Sequence, residues 1–148
     1  MNFTEKIFPG ILVFLQLSSL IFILISGSVF AETPEGIFME MTGIFLGLLA
    51  IYTMKPGNFN IRPIIKQNGI LITNGPYRII RHPMYLAQII AVIPLITEQF
   101  SYYRLFALCV LIIVLLIKIN FEEKRLINHF SDYSEYMKTS KRLIPFIY

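Results

Sequence analysis

Residues 7–30 read IFPGILVFLQLSSLIFILISGSVF and contain no Asp, Glu, Lys or Arg. A helix needs roughly 20 apolar residues to cross the hydrocarbon core of a bilayer, so this stretch is long enough. The chain has 148 residues, too few for a soluble interior that hides such a helix on every side. Composition agrees: 55% of residues are hydrophobic and only 15% charged, against about 25% charged in soluble domains. A cleaved signal peptide is the rival reading, because Val29-Phe30-Ala31 fits a small-residue cleavage site. The apolar run exceeds the ~7–15 residues usual in a signal, and only Lys6, offset by Glu5, precedes it. A retained membrane helix is therefore expected.

Working outward, residues 37–54 form a second span interrupted only by Glu40, one turn from its start. Glu40 is expected to snorkel to the interface; the alternative, a carboxylate facing the bundle, would mark function. Gly43 and Gly47, four apart, would admit another helix closely. Two shorter apolar runs follow, 84–97 and 105–117, joined by a turn at Glu98-Gln99-Phe100-Ser101. The third contains Pro94 and is expected to be short or kinked. With Tyr102, Tyr103 and Arg104 at one interface and Lys118 at the other, the fourth spans about 102–121. The pair reads as a helical hairpin. Cys109 stands alone in the chain and reads as a small apolar packing residue, with no disulfide or metal motif.

Basic residues set the orientation. Lys55, Arg62, Lys66, Arg78 and Arg81 fall in a stretch without acidic residues, and Lys118, Lys124, Arg125, Lys138, Lys141 and Arg142 fill the tail. The connection at 31–36 has only Glu32 and Glu35. By the positive-inside rule the middle stretch, the tail and both chain ends are cytoplasmic. The net charge of +4 therefore suits anionic lipid head groups rather than nucleic acid. The expected fold is an all-α, multi-pass integral membrane protein of about four transmembrane helices, one domain over 1–148 with no internal repeat. Cytoplasmic pieces at 55–85 and 118–148 would carry the chemistry.

The first piece includes Pro56-Gly57, Arg62-Pro63 and a short extended run at 70–73. Asn74-Gly75-Pro76 then signals a turn, and Pro83 suits the first turn of a helix. In the second piece Lys118 and Glu122 share a helix face at i, i+4 spacing, with Glu123 beside them. Each residue has a bland role open to it: Arg78 and Arg81 at lipid phosphates, Tyr77 and Tyr85 as interface anchors, His82 as structural, Glu122-Glu123 as a solvated face.

Taken together, Gly75-Pro76-Tyr77-Arg78-x-x-Arg81-His82-Pro83-Met84-Tyr85, the apolar hairpin, and Glu122-Glu123-x-x-Leu126-x-x-x-Phe130 resemble the isoprenylcysteine carboxyl methyltransferase family. So does the ending, Tyr133-x-x-Tyr136 and Lys141-Arg142-Leu143-Ile144-Pro145. The likeness covers the carboxyl-terminal part of the chain and extends to the wider phospholipid methyltransferase group. It implies an S-adenosylmethionine pocket at the cytoplasmic mouth of the bundle, built from Gly69, Ile70, Leu71, Ile72, Tyr77, His82, Pro83, Met84, Tyr85, Glu122 and Glu123. A carboxylate such as Glu122 would take the ammonium of the cofactor, His82 or Arg81 its carboxylate, and the Tyr77 and Tyr85 rings its cationic or adenine portions. Lys118 and Arg81 are the candidate catalytic residues; no metal is implied, and the product would be S-adenosylhomocysteine.

The chain departs from the family where Lys118 replaces an Arg that would approach the acceptor, since Lys cannot form the planar double bond to a carboxylate. Gly69 replaces a polar or basic residue, and Ser131-Asp132 shortens the link to Tyr133. The expected function is methylation of a lipophilic, membrane-borne acceptor such as a prenylated cysteine carboxylate. A phospholipid N-methyltransferase, or a non-catalytic membrane module with the same fold, are the alternatives. The sequence does not specify the oligomeric state.

Overall fold

Apolar side chains recur through residues 7–25 with a few small or polar ones at spacings of three and four, and they coil into a helix whose buried stripe is Pro9, Leu12, Gln16, Ser19 and Ile23. This helix, α1 (Phe3–Ile25), is followed by α2 (Pro34–Met54), a single 3-10 turn at Gly75–Arg78, α3 (Pro83–Glu98), α4 (Tyr102–His129) and the short α5 (Tyr133–Thr139). The computed structural model describes residues 3–54 and 69–145, with side chains from residue 7 onward. Lys55, Pro56, Gly57, Arg62, Pro63 and Lys66 lie outside the described residues, as do the side chains of Glu5 and Lys6. Among the described residues all regular structure is helical, apart from one isolated parallel bridge between Ile80 and Lys141.

Among the described residues, three helices are long and apolar enough to cross a membrane: Ile7–Ile25 of α1, Pro34–Met54 and Tyr102–His129. Their outward faces carry large apolar side chains, among them Phe14, Phe38, Phe45, Phe106 and Ile113. A water-soluble protein does not spread such residues over its surface, and the molecule reads as an integral membrane protein. Helix α3 is apolar but has 16 residues, about 24 Å of rise against a core of about 30 Å. The first helix also ends earlier than its charge-free run. It stops at Ile25, and residues 26–33 form a connection rather than helix.

That connection is held by the α3–α4 turn. The Glu98 carboxylate accepts from the backbone N–H of Glu32 at 2.6 Å and of Thr33 at 3.3 Å, and Gln99 Oε1 accepts from Ser28 N at 2.8 Å. Buried Glu40 bends back into the same end and accepts from Ala31 N at 2.9 Å. It thus faces protein rather than lipid head groups. Arg104, read above as an interface residue, is also buried; it donates to Ile23 O at 3.1 Å and Gln99 O at 2.9 Å. It satisfies a carbonyl at the end of α1 that has no helical partner. Tyr102 and Tyr103 are the exposed residues of that interface.

The hairpin partners do not pack chiefly on each other. Helix α3 lies along α2, and α4 lies along α1. Gly43 is the reason for the first pairing: a Cβ there would sit 2.6 Å from Ala91 N and 2.8 Å from Ala87 O, so backbone approaches backbone. The small-residue face of α2 is thus occupied by α3. Ile23 of α1, Val92, Leu95 and Ile96 of α3, and Ala107, Leu111 and Leu115 of α4 form the apolar centre. Cys109 is exposed on α4.

Candidate functional site

The polar residues of the sequence motifs gather at the opposite end of the bundle, where α3 begins and α4 runs on past its apolar part. Gly75 makes the entry, with φ of 57° that an L side chain rarely adopts. The 3-10 turn that follows buries Pro76 and Tyr77. Pro83 opens α3 with its missing N–H at no cost, leaving His82 at the cap position. Residues 69–73 lie outside the helices; Ile70 is exposed, and Gly69, Leu71 and Ile72 are half-buried.

The carboxyl-terminal segment is docked onto this turn. Arg81 N donates to Lys141 O at 2.7 Å, His82 N to Arg142 O at 3.1 Å, and Lys141 N to Ile79 O at 2.9 Å. Tyr136 OH donates to Tyr77 O at 2.5 Å, and burial pushes the Tyr136 phenol up to about 12. Tyr77 is buried as well, its hydroxyl directed at Ala50 O at 3.5 Å.

Three basic side chains converge on Glu123. Arg81 Nε lies 2.7 Å from Glu123 Oε1, Arg142 Nε 2.8 Å from Oε2, and His82 Nε2 3.4 Å from Oε1. Arg81 also donates to the carbonyl of Ser140 at 2.5 Å and of Met137 at 3.4 Å. The Arg81–Glu123 pair therefore ties α3, α4 and the tail together. Sequence reasoning counted Arg142 among the basic residues of the tail and as part of the ending, and missed its place here. The separate stretches that carry Arg142 and Glu123 gave no local signal of it.

Glu122 faces the other way. Its side chain is 19% exposed, it accepts from the Tyr85 hydroxyl, and its Oε2 lies 3.5 Å from His82 Nδ1. Both ring nitrogens of His82 thus face carboxylates, and only the doubly protonated imidazolium can donate from both. Burial disfavours that charged form, but Glu122 and Glu123 together outweigh it and raise the His82 pKa above its usual value. The Tyr85 ring stacks on His82, with centroids 5.6 Å apart and planes 4° from parallel. On the Tyr85 ring sits the Lys118 ammonium, 5.1 Å from the centroid, a cation–π distance. Lys118 itself is 1% exposed and donates to Gln16 Oε1 of α1 at 2.7 Å.

The structure thus brings together His82, Tyr85, Lys118, Glu122 and Glu123, with Pro83 and Met84 between them in the chain. Tyr77 and Arg81 stand behind this group, and Gly69, Ile70, Leu71 and Ile72 precede it. Gln16, like Arg142, was missed by sequence reasoning. A lone amide inside an otherwise apolar span was the available signal. Among the described residues no group of three or more His, Cys, Asp or Glu is gathered as a metal site requires.

The sequence model of the isoprenylcysteine carboxyl methyltransferase family matches residues 36–128. The chain is also similar to the cobalt-zinc-cadmium resistance protein CzcN of Cupriavidus metallidurans, 24% identical over 115 residues, which are 75% of this chain and 53% of that protein. It spans about half the length of that curated relative.

Proposed function

Because the chain belongs to the isoprenylcysteine carboxyl methyltransferase family, a family of membrane methyltransferases, we propose that it transfers a methyl group from S-adenosylmethionine to a lipophilic acceptor held in the bilayer. The observation that carries this reading is Glu122: a partly open carboxylate fixed by Tyr85 and His82, with an ammonium one helical turn away at Lys118. This donor and acceptor set fits the cofactor. Glu122 takes its ammonium, the His82 imidazolium holds Glu122 in place for that contact, and the Tyr85 face suits a cationic or aromatic portion. Gly69 to Ile72, Pro83 and Met84 form the surrounding wall, and Tyr77, Arg81 and Glu123 hold that wall in place. When bound, S-adenosylmethionine would supply an electrophilic methyl group for a lone pair of the acceptor oxygen, and the electron pair of the broken C–S bond would stay on sulfur as S-adenosylhomocysteine. Around that exchange the chain aligns charges and excludes water.

In this reading 1–148 acts as one domain with four crossings, both ends and the site on the cytoplasmic side. Helix α3 then reaches across with the help of its polar flanks, Arg81 and His82 at one end and Glu98 and Gln99 at the other. The acceptor is a carboxylate on a prenyl or similar lipid, which needs no base. The metal-resistance role in the name of the CzcN relative specifies no methyl acceptor and is not carried over.

The test begins with S-adenosylhomocysteine titrated into the purified protein. Saturable binding is expected, and Glu122→Gln weakens it about ten-fold, the loss of a charge-assisted hydrogen bond. No binding to the wild type at millimolar ligand sinks the proposal. Membranes are then incubated with methyl-labelled cofactor and treated with mild base. Label released as methanol supports an ester; label retained on phospholipid points to N-methylation instead.

A further inference from the structure

The Lys118 ammonium of α4 is met by side chains of two other helices at one level. Gln16 of α1 donates through Nε2 to Gln88 Oε1 of α3 at 2.7 Å, which turns its own Oε1 to Lys118 of α4, also at 2.7 Å. Tyr85 of α3 lies beneath the same ammonium. Gln16 is buried, lies on the α1 stripe that faces α4, and falls outside the residues 36–128 matched by the family. Helices α1 and α3 otherwise touch only lightly, so this amide pair is a principal tie between them. Lys118 follows Tyr102 by 16 positions along α4, about 24 Å into a core of about 30 Å. With Tyr102 at the outer interface, as the four-crossing reading has it, the ammonium stands near the inner edge of the hydrocarbon layer.

Glu122, one turn along α4, already attracts this ammonium; the neutral Gln16 amide orients it without adding a second negative charge beside it, as a carboxylate at that position would. We infer that Gln16 is a specificity-determining positioning residue: it presents the charged Lys118 to the acceptor, so that the site selects a lipophilic molecule ending in a small anionic group such as a carboxylate. Helix α1 is then part of the acceptor subsite and not only a membrane anchor. The inference rests on the methyltransferase reading and adds which head group the site prefers and why. The competing account is that Gln16 and Gln88 only bridge helices, as buried amides in membrane bundles do.

Two variants separate these accounts. Gln16→Leu removes the bridge. Gln16→Glu keeps its size and its contact to Lys118, and Gln88 follows by rotating its amide to donate; the added negative charge cancels the ammonium. In lipid nanodiscs, affinities are measured for S-adenosylhomocysteine and for farnesylthioacetic acid against its primary amide, a pair of equal shape that differs in charge. The wild type is expected to bind the acid about ten-fold more tightly than the amide, the scale of a desolvated charge pair. In both variants that preference falls to within about two-fold, while S-adenosylhomocysteine binds with unchanged affinity. Preference lost in Gln16→Leu but kept in Gln16→Glu assigns Gln16 to helix bridging and overturns the inference. So does a wild type that binds S-adenosylhomocysteine yet does not favour the acid. A wild type that binds no S-adenosylhomocysteine removes the methyltransferase reading, and this inference with it.

Discussion

Replacing Glu123 by Gln tests how the site is braced. The carboxylate is met by Arg81 at 2.7 Å, Arg142 at 2.8 Å and His82 at 3.4 Å, and its side chain is 3% exposed. Removing one partner of a buried ion pair costs about 3–5 kcal/mol, because the cation left behind stays desolvated. Gln preserves the volume and one acceptor, and the Arg142 side chain is 34% exposed and can rehydrate. The lower end, about 3 kcal/mol, is expected, which corresponds to a roughly 150-fold rise in local opening. That opening is undocking of the tail from the α3 entry. Its reporters are the amides of Arg81, His82 and Lys141, which bond across the two segments. Hydrogen exchange followed by mass spectrometry in nanodiscs reads them directly. Protection at these amides within about three-fold of wild type refutes the bracing role. Loss of protection spread evenly into α1 and α2 refutes it too, since the damage is then global.

Two further outcomes follow from the same contacts. Gly43→Ala places its Cβ against the Ala91 and Ala87 backbone, which cannot give way as a side chain can; it should lower stability by about 1–3 kcal/mol in a thermal melt. Gly47→Ala meets only Ala87 Cβ at 3.5 Å and should be neutral or stabilising by up to about 1 kcal/mol; equal losses at both sites would contradict the packing described. Charging of His82 gives the third. Burial opposes it and the two carboxylates favour it, with a net rise in pKa. Its stabilisation is complete below the unfolded value of about 6.5 and disappears as pH rises through the folded value. Melting temperature should therefore fall on going from mildly acidic to alkaline buffer, and the slope should shrink in His82→Gln; an unaltered slope rejects the assignment.

What was legible in the chain was local. Four apolar runs announced four helices. The Arg81–Tyr85 motif, singled out by the family resemblance, and the i, i+4 pair Lys118 and Glu122 led to one end of the bundle, because each lies within one short stretch of chain. What stayed hidden depends on partners far away in sequence. Absence of charge continues to Phe30, yet α1 ends at Ile25, where Arg104 and Gln99 receive the chain. Arg104 and Glu40 look like interface residues beside apolar runs, but carbonyl and amide partners elsewhere make burial affordable. Gln16 and Arg142 carry no spacing signal at all, since their partners lie on other elements.

The clasp at the far end of the bundle has a consequence for how the chain is made. The amide of Glu32 waits for a carboxylate 66 positions further on, at Glu98. At about 5–20 residues per second of synthesis, that is a delay of about 3–13 s. Through that interval the turn between α1 and α2 has its helices and the Glu40 contact to Ala31, but not the Glu98 carboxylate. The second hairpin closes the first, so a fault late in translation should be felt in the part of the protein that was born earliest.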